Sequence, residues 1–367
     1  MSVDTGFIVF NYQNYPNLSK IFEHFNVAVQ KSNMSFGVSA NNGNFEWSAE
    51  NLLALFGQWG NLFSPKFYQF LLDVLRFNNN AVKLRNKYQN NTLAEMIKDM
   101  GMGKNFAKYY ILPMAGAIWS CSLDKILEFP AKTFIDFFDA HGLLSVTGQP
   151  QWYTVTGGSN EYIKRISADF SDKIITNCGI EKAKRENGKA QVTDSKGRTE
   201  EYDNVVFACH ADQALAMLSD ASEDEINILS KFKYQKNTAY LHKDIKQMPK
   251  RKRCWASWVY LANKNHKSDN ITISYWMNHL QGIDKNYPLL LTLNPIEKIK
   301  EEDIFDIHEF EHPVYNLEMI EAQNNFHKIQ GKNASWFCGA HLRYGFHEDG
   351  ATSGMNVAKM LGAKELW

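Results

Sequence analysis

The spacing of hydrophobic and polar positions changes along the chain, and each change predicts a different kind of element. Gly6-Phe-Ile-Val-Phe10 reads as a short extended segment, and Asn14-Tyr-Pro-Asn-Leu-Ser19 leads into an amphipathic stretch through Phe25. Residues 34–48 read as a hairpin with Asn41-Asn-Gly-Asn44 as its turn. From about Ala49 to Leu144 the period becomes helical: Ser64-Pro65 opens one helix with proline in its first turn, and Thr92-x-x-Glu95 is a capping box for another. Between Val155 and Leu218 the order is helix, strand, turn, strand, turn, strand. Ile174-Ile-Thr begins a strand, Asn187-Gly188 and Lys196-Gly197 mark turns, and Asn204-Val-Val-Phe-Ala208 is a short buried strand. Residues 235–296 return to strands rich in Trp, Tyr and Thr, including Cys254–Tyr260 and Leu289–Leu293. A helix near Leu317–Ile329 is followed by an aromatic strand, the polar turn Gly345–Gly350, and a helix whose first turn reads Gly350-Ala-Thr-Ser-Gly354.

That last helix directs attention to a ligand. Small residues in a first turn leave backbone N–H groups at the positive end uncovered, with no bulky side chain to keep a cofactor away. Bulk properties add limits. A chain of 367 residues is long enough for two domains. Lys+Arg 40 against Asp+Glu 40 gives no net charge, so nothing global attracts nucleic acid, and no nucleic-acid partner is expected. The five cysteines, Cys121, Cys178, Cys209, Cys254 and Cys338, lack C-x-x-C spacing, which fits free thiols in a reducing cytoplasm. The basic run Lys250-Arg-Lys-Arg253 reads as a solvated turn or as a peripheral contact with anionic lipid. His308-Glu-Phe-Glu-His312 satisfies the H-E-x-x-H pattern, but Pro313 and the alternation of residues 304–312 favour a strand, which would hold the two histidines too far apart for one metal ion; no metal site is expected.

The turn Gly345-Phe-His-Glu-Asp-Gly350 resembles the C-terminal flavin-binding segment of the FAD-dependent amine oxidase and phytoene desaturase superfamily, and within it the bacterial NAD/FAD-binding branch. Other segments are similar to the same family: Val3-Asp-Thr-Gly-Phe-Ile-Val-Phe-Asn11, the Gly-Gly-Ser step ending at Ser159, Ile175-Thr-Asn-Cys-Gly-Ile180, and Asp203-Asn-Val-Val-Phe-Ala-Cys-His210. The resemblance implies FAD as cofactor and Gly6, Phe7, Ile180, Gly345, Phe346, His347, Glu348, Asp349, Gly350 and Ser353 as its contacts. His210 and Asp212 would border the nucleotide, or simply form a polar loop after a strand. No catalytic base is nominated.

The implied fold is α/β: a Rossmann-like FAD/NAD(P)-binding domain from residues 1–10, 150–220 and 314–367, interleaved with an α+β substrate domain from residues 11–149 and 221–313 that contains the helical block 49–144. Family members begin with a strand, a G-x-G-x-x-G turn and a helix, and none of this precedes Val3. The expectation is an N-terminally truncated pattern, with a separate chain as one source of the missing βαβ unit. The implied activity is hydride transfer to FAD from an apolar small molecule, an acyl lipid or polyene. Two alternatives stand beside it: a non-catalytic or split-protein remnant, and amine oxidation.

Overall fold

The computed structural model describes residues 2–145, 148–262 and 271–364. The parts of the expected ranges that fall on Met1 and on residues 146–147, 263–270 and 365–367 lie outside the described residues. In chain order the strands are β1 (Val29–Ser32), β2 (Phe36–Ala40), β3 (Phe45–Ser48), β4 (Trp152–Val155), β5 (Ile180–Glu186), β6 (Lys189–Asp194) and β7 (Thr199–Tyr202). They continue with β8 (Val205–Phe207), β9 (Lys233–His242), β10 (Trp258–Ala262), β11 (Thr272–Trp276), β12 (Leu290–Leu293), β13 (Ile304–Val314) and β14 (Ser335–Phe337). The chain divides into two compact units.

The larger unit comprises Met1–Asn14, Ala28–Glu161 and Gln235–Asn316. Its main sheet has the order β13-β9-β12-β11-β10-β2-β3. The hairpin β2–β3 turns where expected, at Asn41, Asn42 and Gly43 with φ of 52°, 58° and 78°. Asparagine and glycine tolerate that left-handed backbone, so the local sequence suffices to make the turn. β10 then pairs with β2 in parallel, Trp258 opposite Phe36 and Ala262 opposite Ala40, across more than half the chain. Strand pleating places Phe36, Val38, Trp47, Trp258 and Tyr275 on one face of the sheet. The helical block packs there, with Trp47 centred 5.7 Å from Phe70 and 6.5 Å from Tyr110.

Within that block the expected helix starts at Pro65 and runs to Leu84, and Thr92 with Glu95 forms the expected capping box. Phe67, Phe70, Phe77 and Ala81 recur at helical spacing and are buried. Their rings touch one another and those of later helices: Phe77 lies 5.3 Å from Phe106, and Phe134 stacks on Phe138 at 4.1 Å. The helical path from Lys104 to Trp119 widens into a π turn at Ala107–Ile111 just before Pro113, which has no N–H to donate. Residues 304–314 form β13, so His308 and His312 sit on a strand as their alternation predicts.

The smaller unit comprises Tyr15–Val27, Tyr162–Tyr234 and Leu317–Trp367. A meander β5-β6-β7 turns at Asn187-Gly188 and at Gly197. Beside it stands a parallel pair, β8 and β14, in the register Val205–Ser335 to Phe207–Phe337. Two expectations are corrected in this unit. Ile174-Ile-Thr176 does not begin a strand: β5 starts at Ile180, and Ile175 is 65% exposed, with no strand among the described residues pairing its backbone. β8 is only half-buried; Phe207 stacks on Phe337 while Val206 is exposed, because a two-stranded sheet covers alternate residues incompletely. Arg185 locks β5 down, donating to Glu225 at 2.7 and 2.8 Å, to Asp220 at 2.9 Å and to the Ser335 hydroxyl at 3.0 Å.

The compact units cut the chain at different places from the ranges expected above. Met1–Asn14 and the residues up to Glu161 pack in the larger unit, where Phe10 and Tyr153 exchange backbone hydrogen bonds of 2.9 and 2.8 Å. Tyr15–Val27 and residues 221–234 pack in the smaller one. Among the described residues no helix is long and apolar enough to cross a membrane.

Candidate functional site

Parallel strands expose their loops and the start of the next helix at their carboxyl ends, where ligands of α/β sheets bind. β8 leads through Ala208-Cys209-His210 into the helix Ala211–Met217, and β14 leads through Cys338-Gly339 into the short 3-10 helix Ala340–Leu342. His210 stacks on Tyr234 with centroids 4.1 Å apart, and the Tyr234 hydroxyl accepts the Ala211 N–H at 3.0 Å. His341 is buried, its ring 5.0 Å from that of Phe232. Burial, then the neighbouring His210, pushes the His341 imidazole down to about 4, so it is neutral at pH 7. Gly339 lies against that ring; a Cβ there would come within 2.5 Å of it, so no other residue fits without moving His341. Burial also raises the Cys209 and Cys338 thiols, which keeps both protonated and poor as nucleophiles.

The turn that follows has Gly345 at φ 93°, a conformation that glycine takes without strain. The last helix begins at His347, three residues before the expected start at Gly350, and runs to Met360. Its amino end is not left open in the expected way. The Asp349 carboxylate accepts N–H groups of Phe346 at 3.0 Å and Tyr344 at 3.2 Å, and fixes the turn onto the helix. Glu348 is buried and reaches a different helix, Pro16–His24, which its N-cap residue Tyr15 does not cap through the side chain. Its two oxygens accept the backbone N–H groups of Asn17 and Leu18 at 3.1 and 3.0 Å, and the Asn17 amide at 2.9 Å. A carboxylate from far along the chain thus caps that helix. Ser353 accepts the Gly339 N–H at 3.1 Å, and His347 Nε2 meets the Tyr162 hydroxyl at 3.1 Å. Sequence reading identified Glu348 and Asp349 but missed Asn17 and Tyr162, because nothing local signals a cap supplied from another segment.

In the larger unit Gly6 is exposed, with nothing within 4 Å of where a Cβ would stand, and Phe7 is half-buried. The segment is fastened on both sides of Gly6. Asp4 accepts the Ser159 N–H at 2.8 Å and the Gln281 amide at 2.9 Å, and the Ser159 hydroxyl donates to the Phe7 carbonyl at 3.0 Å. Ser159 is therefore spent on this segment. Ile180 begins β5 in the smaller unit and is 42% exposed. The remaining sequence-predicted contacts, Gly345 to Gly350 and Ser353, are brought together in the smaller unit around Ala340 and Gly339, with Gly350 facing the Ala340 N–H. Within the smaller unit, the glycine-bearing loop after β14 and the exposed Gly345 leave room for a ligand to approach the main chain.

The family model of flavin containing amine oxidoreductases matches residues 1–239. Among solved structures the chain is similar to a CLA-producing fatty acid isomerase from P. acnes, at 14% identity and a TM-score of 0.65, covering 98% of this chain and 87% of that one. It is also similar to cyclohexylamine oxidase from Brevibacterium oxydans IH-35A, at 11% identity and a TM-score of 0.64, with coverage of 98% and 88%. Putrescine oxidase bound to putrescine gives 9% identity and a TM-score of 0.65, again with coverage of 98% and 88%. Comparison with curated proteins finds no match.

Proposed function

The chain belongs to the flavin-containing amine oxidoreductases, and from that premise we propose that it oxidises an apolar small molecule, an acyl lipid or polyene, at a carbon that gives up hydride. It is an FAD-class oxidoreductase of α/β fold. When bound, the flavin supplies the hydride acceptor, and the protein supplies position and electrostatics.

In this reading Gly6, Phe7, Ile180, Gly345, Phe346, His347 and Gly350 touch the cofactor. Glu348, Asp349 and Ser353 act one step behind it: their hydrogen bonds to Asn17, Leu18, Phe346, Tyr344 and Gly339 are already made, and they hold the turn in shape. Asp4 and Ser159 do the same for Gly6. Residues 1–10, 150–220 and 314–367 would serve the cofactor, and the helical block with the strands of 235–296 would enclose the substrate. The five free cysteines support a cytoplasmic setting. The single pair β8–β14 also offers strand edges on which a separate chain could add strands beside the cofactor.

The observation that carries the flavin assignment is the family match over residues 1–239. For the substrate, a fatty acid isomerase among the structural neighbours supports the acyl reading, while cyclohexylamine and putrescine oxidases support amine oxidation as the second. Anaerobic mixing of flavin-loaded protein with panels of acyl chains, polyenes and amines decides between them. Bleaching of the flavin by the apolar panel is the expected result; bleaching by amines alone would replace this substrate class, and no flavin uptake at all would overturn the site.

A further inference from the structure

Away from the residues assigned to the cofactor, the larger unit presents an apolar surface that its own fold leaves uncovered. Leu52 and Leu53 open the short helix Leu52–Leu55 and are 76% and 80% exposed. Trp59 and Phe63 bound the 3-10 segment Trp59–Phe63 and are 62% and 87% exposed. The segment is nevertheless well anchored from beneath. Ala54 and Asn61 are buried, Asn61 donates to the Glu46 carbonyl at 3.1 Å, and the Phe56 ring lies 5.7 Å from Phe67 and 6.2 Å from Tyr68. Tyr68, itself partly exposed, donates to the Leu62 carbonyl at 3.0 Å. Ala54, Phe56 and Asn61 therefore anchor the segment while four large apolar side chains, Leu52, Leu53, Trp59 and Phe63, point out.

Charge indicates what covers this surface. The basic run adjoins it: the Arg253 guanidinium sits over the Trp59 ring at 5.1 Å, and Gly57 lies directly against the Arg253 stem. Lys66 and Lys252 are exposed alongside. Glu46, which would otherwise offset this charge, is fully buried and already bound to Arg251 at 2.8 Å. Among the described residues Lys66, Lys252 and Arg253 have no carboxylate at ion-pair distance. The chain as a whole carries no net charge, so this cationic character comes from the patch's own Lys66, Lys252 and Arg253. Large apolar side chains beside unpaired Lys and Arg form the pattern of a surface that lies on an anionic bilayer.

We propose that residues 52–63 and the turn Lys252–Cys254 form a docking face for anionic lipid bilayers. Leu52, Leu53, Trp59 and Phe63 enter the acyl boundary, and Lys66, Lys252 and Arg253 meet headgroup phosphates, with Arg253 laid along the indole so that its stem stays covered. This assignment does not depend on the flavin reading, because partition onto vesicles needs no flavin.

The test is co-sedimentation of the full chain with sucrose-loaded vesicles of phosphatidylcholine, with and without phosphatidylglycerol. The protein is expected to pellet with the anionic vesicles only, and to release as salt rises. Leu53→Asp with Phe63→Asp should lower partition at least about tenfold, and Lys252→Glu with Arg253→Glu by a similar factor. Both pairs alter exposed side chains, so circular dichroism and Tm should match the parent. Wild-type protein that stays in the supernatant with both vesicle types overturns the proposal. So does binding that either pair leaves unchanged. Concentration-dependent self-association that the Leu53/Phe63 pair abolishes, without vesicle binding, assigns the face to a second copy of the chain and also overturns it.

Discussion

The helical block and the C-terminal turn both look functional in sequence, and the structure uses them in opposite ways. The block is crowded with phenylalanine, which in sequence suits an apolar substrate or an aromatic core alike; Phe67, Phe70, Phe77, Phe106, Phe134 and Phe138 are buried against one another. The turn at Gly345–Gly350 is crowded with polar groups that read as ligands; Glu348 and Asp349 instead bind backbone N–H groups of the chain itself. One region is held by close packing, which depends on volume. The other is held by satisfied hydrogen bonds, which depend on charge and partner. In the proposed reading, substrate space in the block would come from residues outside this packed set, and cofactor contact in the turn largely from backbone and from side chains not already engaged.

Three perturbations test this contrast. Phe77→Ala should be the most damaging, destabilising by about 3–5 kcal/mol in urea unfolding, because a fully buried ring leaves a cavity that its neighbours cannot fill. A loss below about 1 kcal/mol would mean that the block is loosely packed and has room for a ligand.

Acid should act on the second region through His341. Its folded value of about 4 lies below the ordinary 6.5, so the unfolded chain binds the proton first. The stability linked to neutral His341 is complete above pH 6.5 and is lost as pH falls towards 4, by up to about 3 kcal/mol. His242, buried in the larger unit with Nε2 on the Thr292 hydroxyl at 2.8 Å and pushed down to about 4, adds a loss of the same sign. Asp349, whose carboxyl is raised by burial, contributes with the opposite sign. Comparing the pH dependence of unfolding in wild type and His341→Met isolates the one group; identical slopes between pH 4 and 6.5 would show that the ring is protonated at no cost.

Glu348→Ala should cost less, about 1–3 kcal/mol, since it leaves the Asn17 and Leu18 N–H groups without their acceptor. Hydrogen exchange should rise first in residues 16–24. Glu348→Gln, which keeps one acceptor oxygen, should recover part of the protection; equal exchange in both variants would mean that water caps the helix just as well.

Much of the local architecture was legible without a structure. Asn41-Asn-Gly could only be a tight turn, Ser64-Pro65 a helix start, Thr92 with Glu95 a cap, and Pro313 with its alternating neighbours a strand. Errors arose where a local signal needed distant support. Ile174-Ile-Thr has strand composition but no partner strand among the described residues, and the small residues at 350–354 suit a helix start that Asp349 had already set at His347. The candidate site was half legible in the same sense. Its glycines could be found from sequence, because backbone freedom is a property of the residue. The engagement of Glu348 with Asn17 could not, because it depends on which surface each helix finds.

Sequence alone therefore determined turns, caps, strand and helix periods, the absence of net charge, and a likeness to flavoproteins strong enough to predict FAD. All of these follow from interactions within a few residues or from residue types in order. Tertiary structure decided the parallel pairing of β10 with β2, the division of the chain into two units, which phenylalanines are core, and which apolar residues of 52–63 are left facing out. Those outcomes rest on burial, and whether a side chain is buried depends on segments hundreds of residues away that come to lie against it.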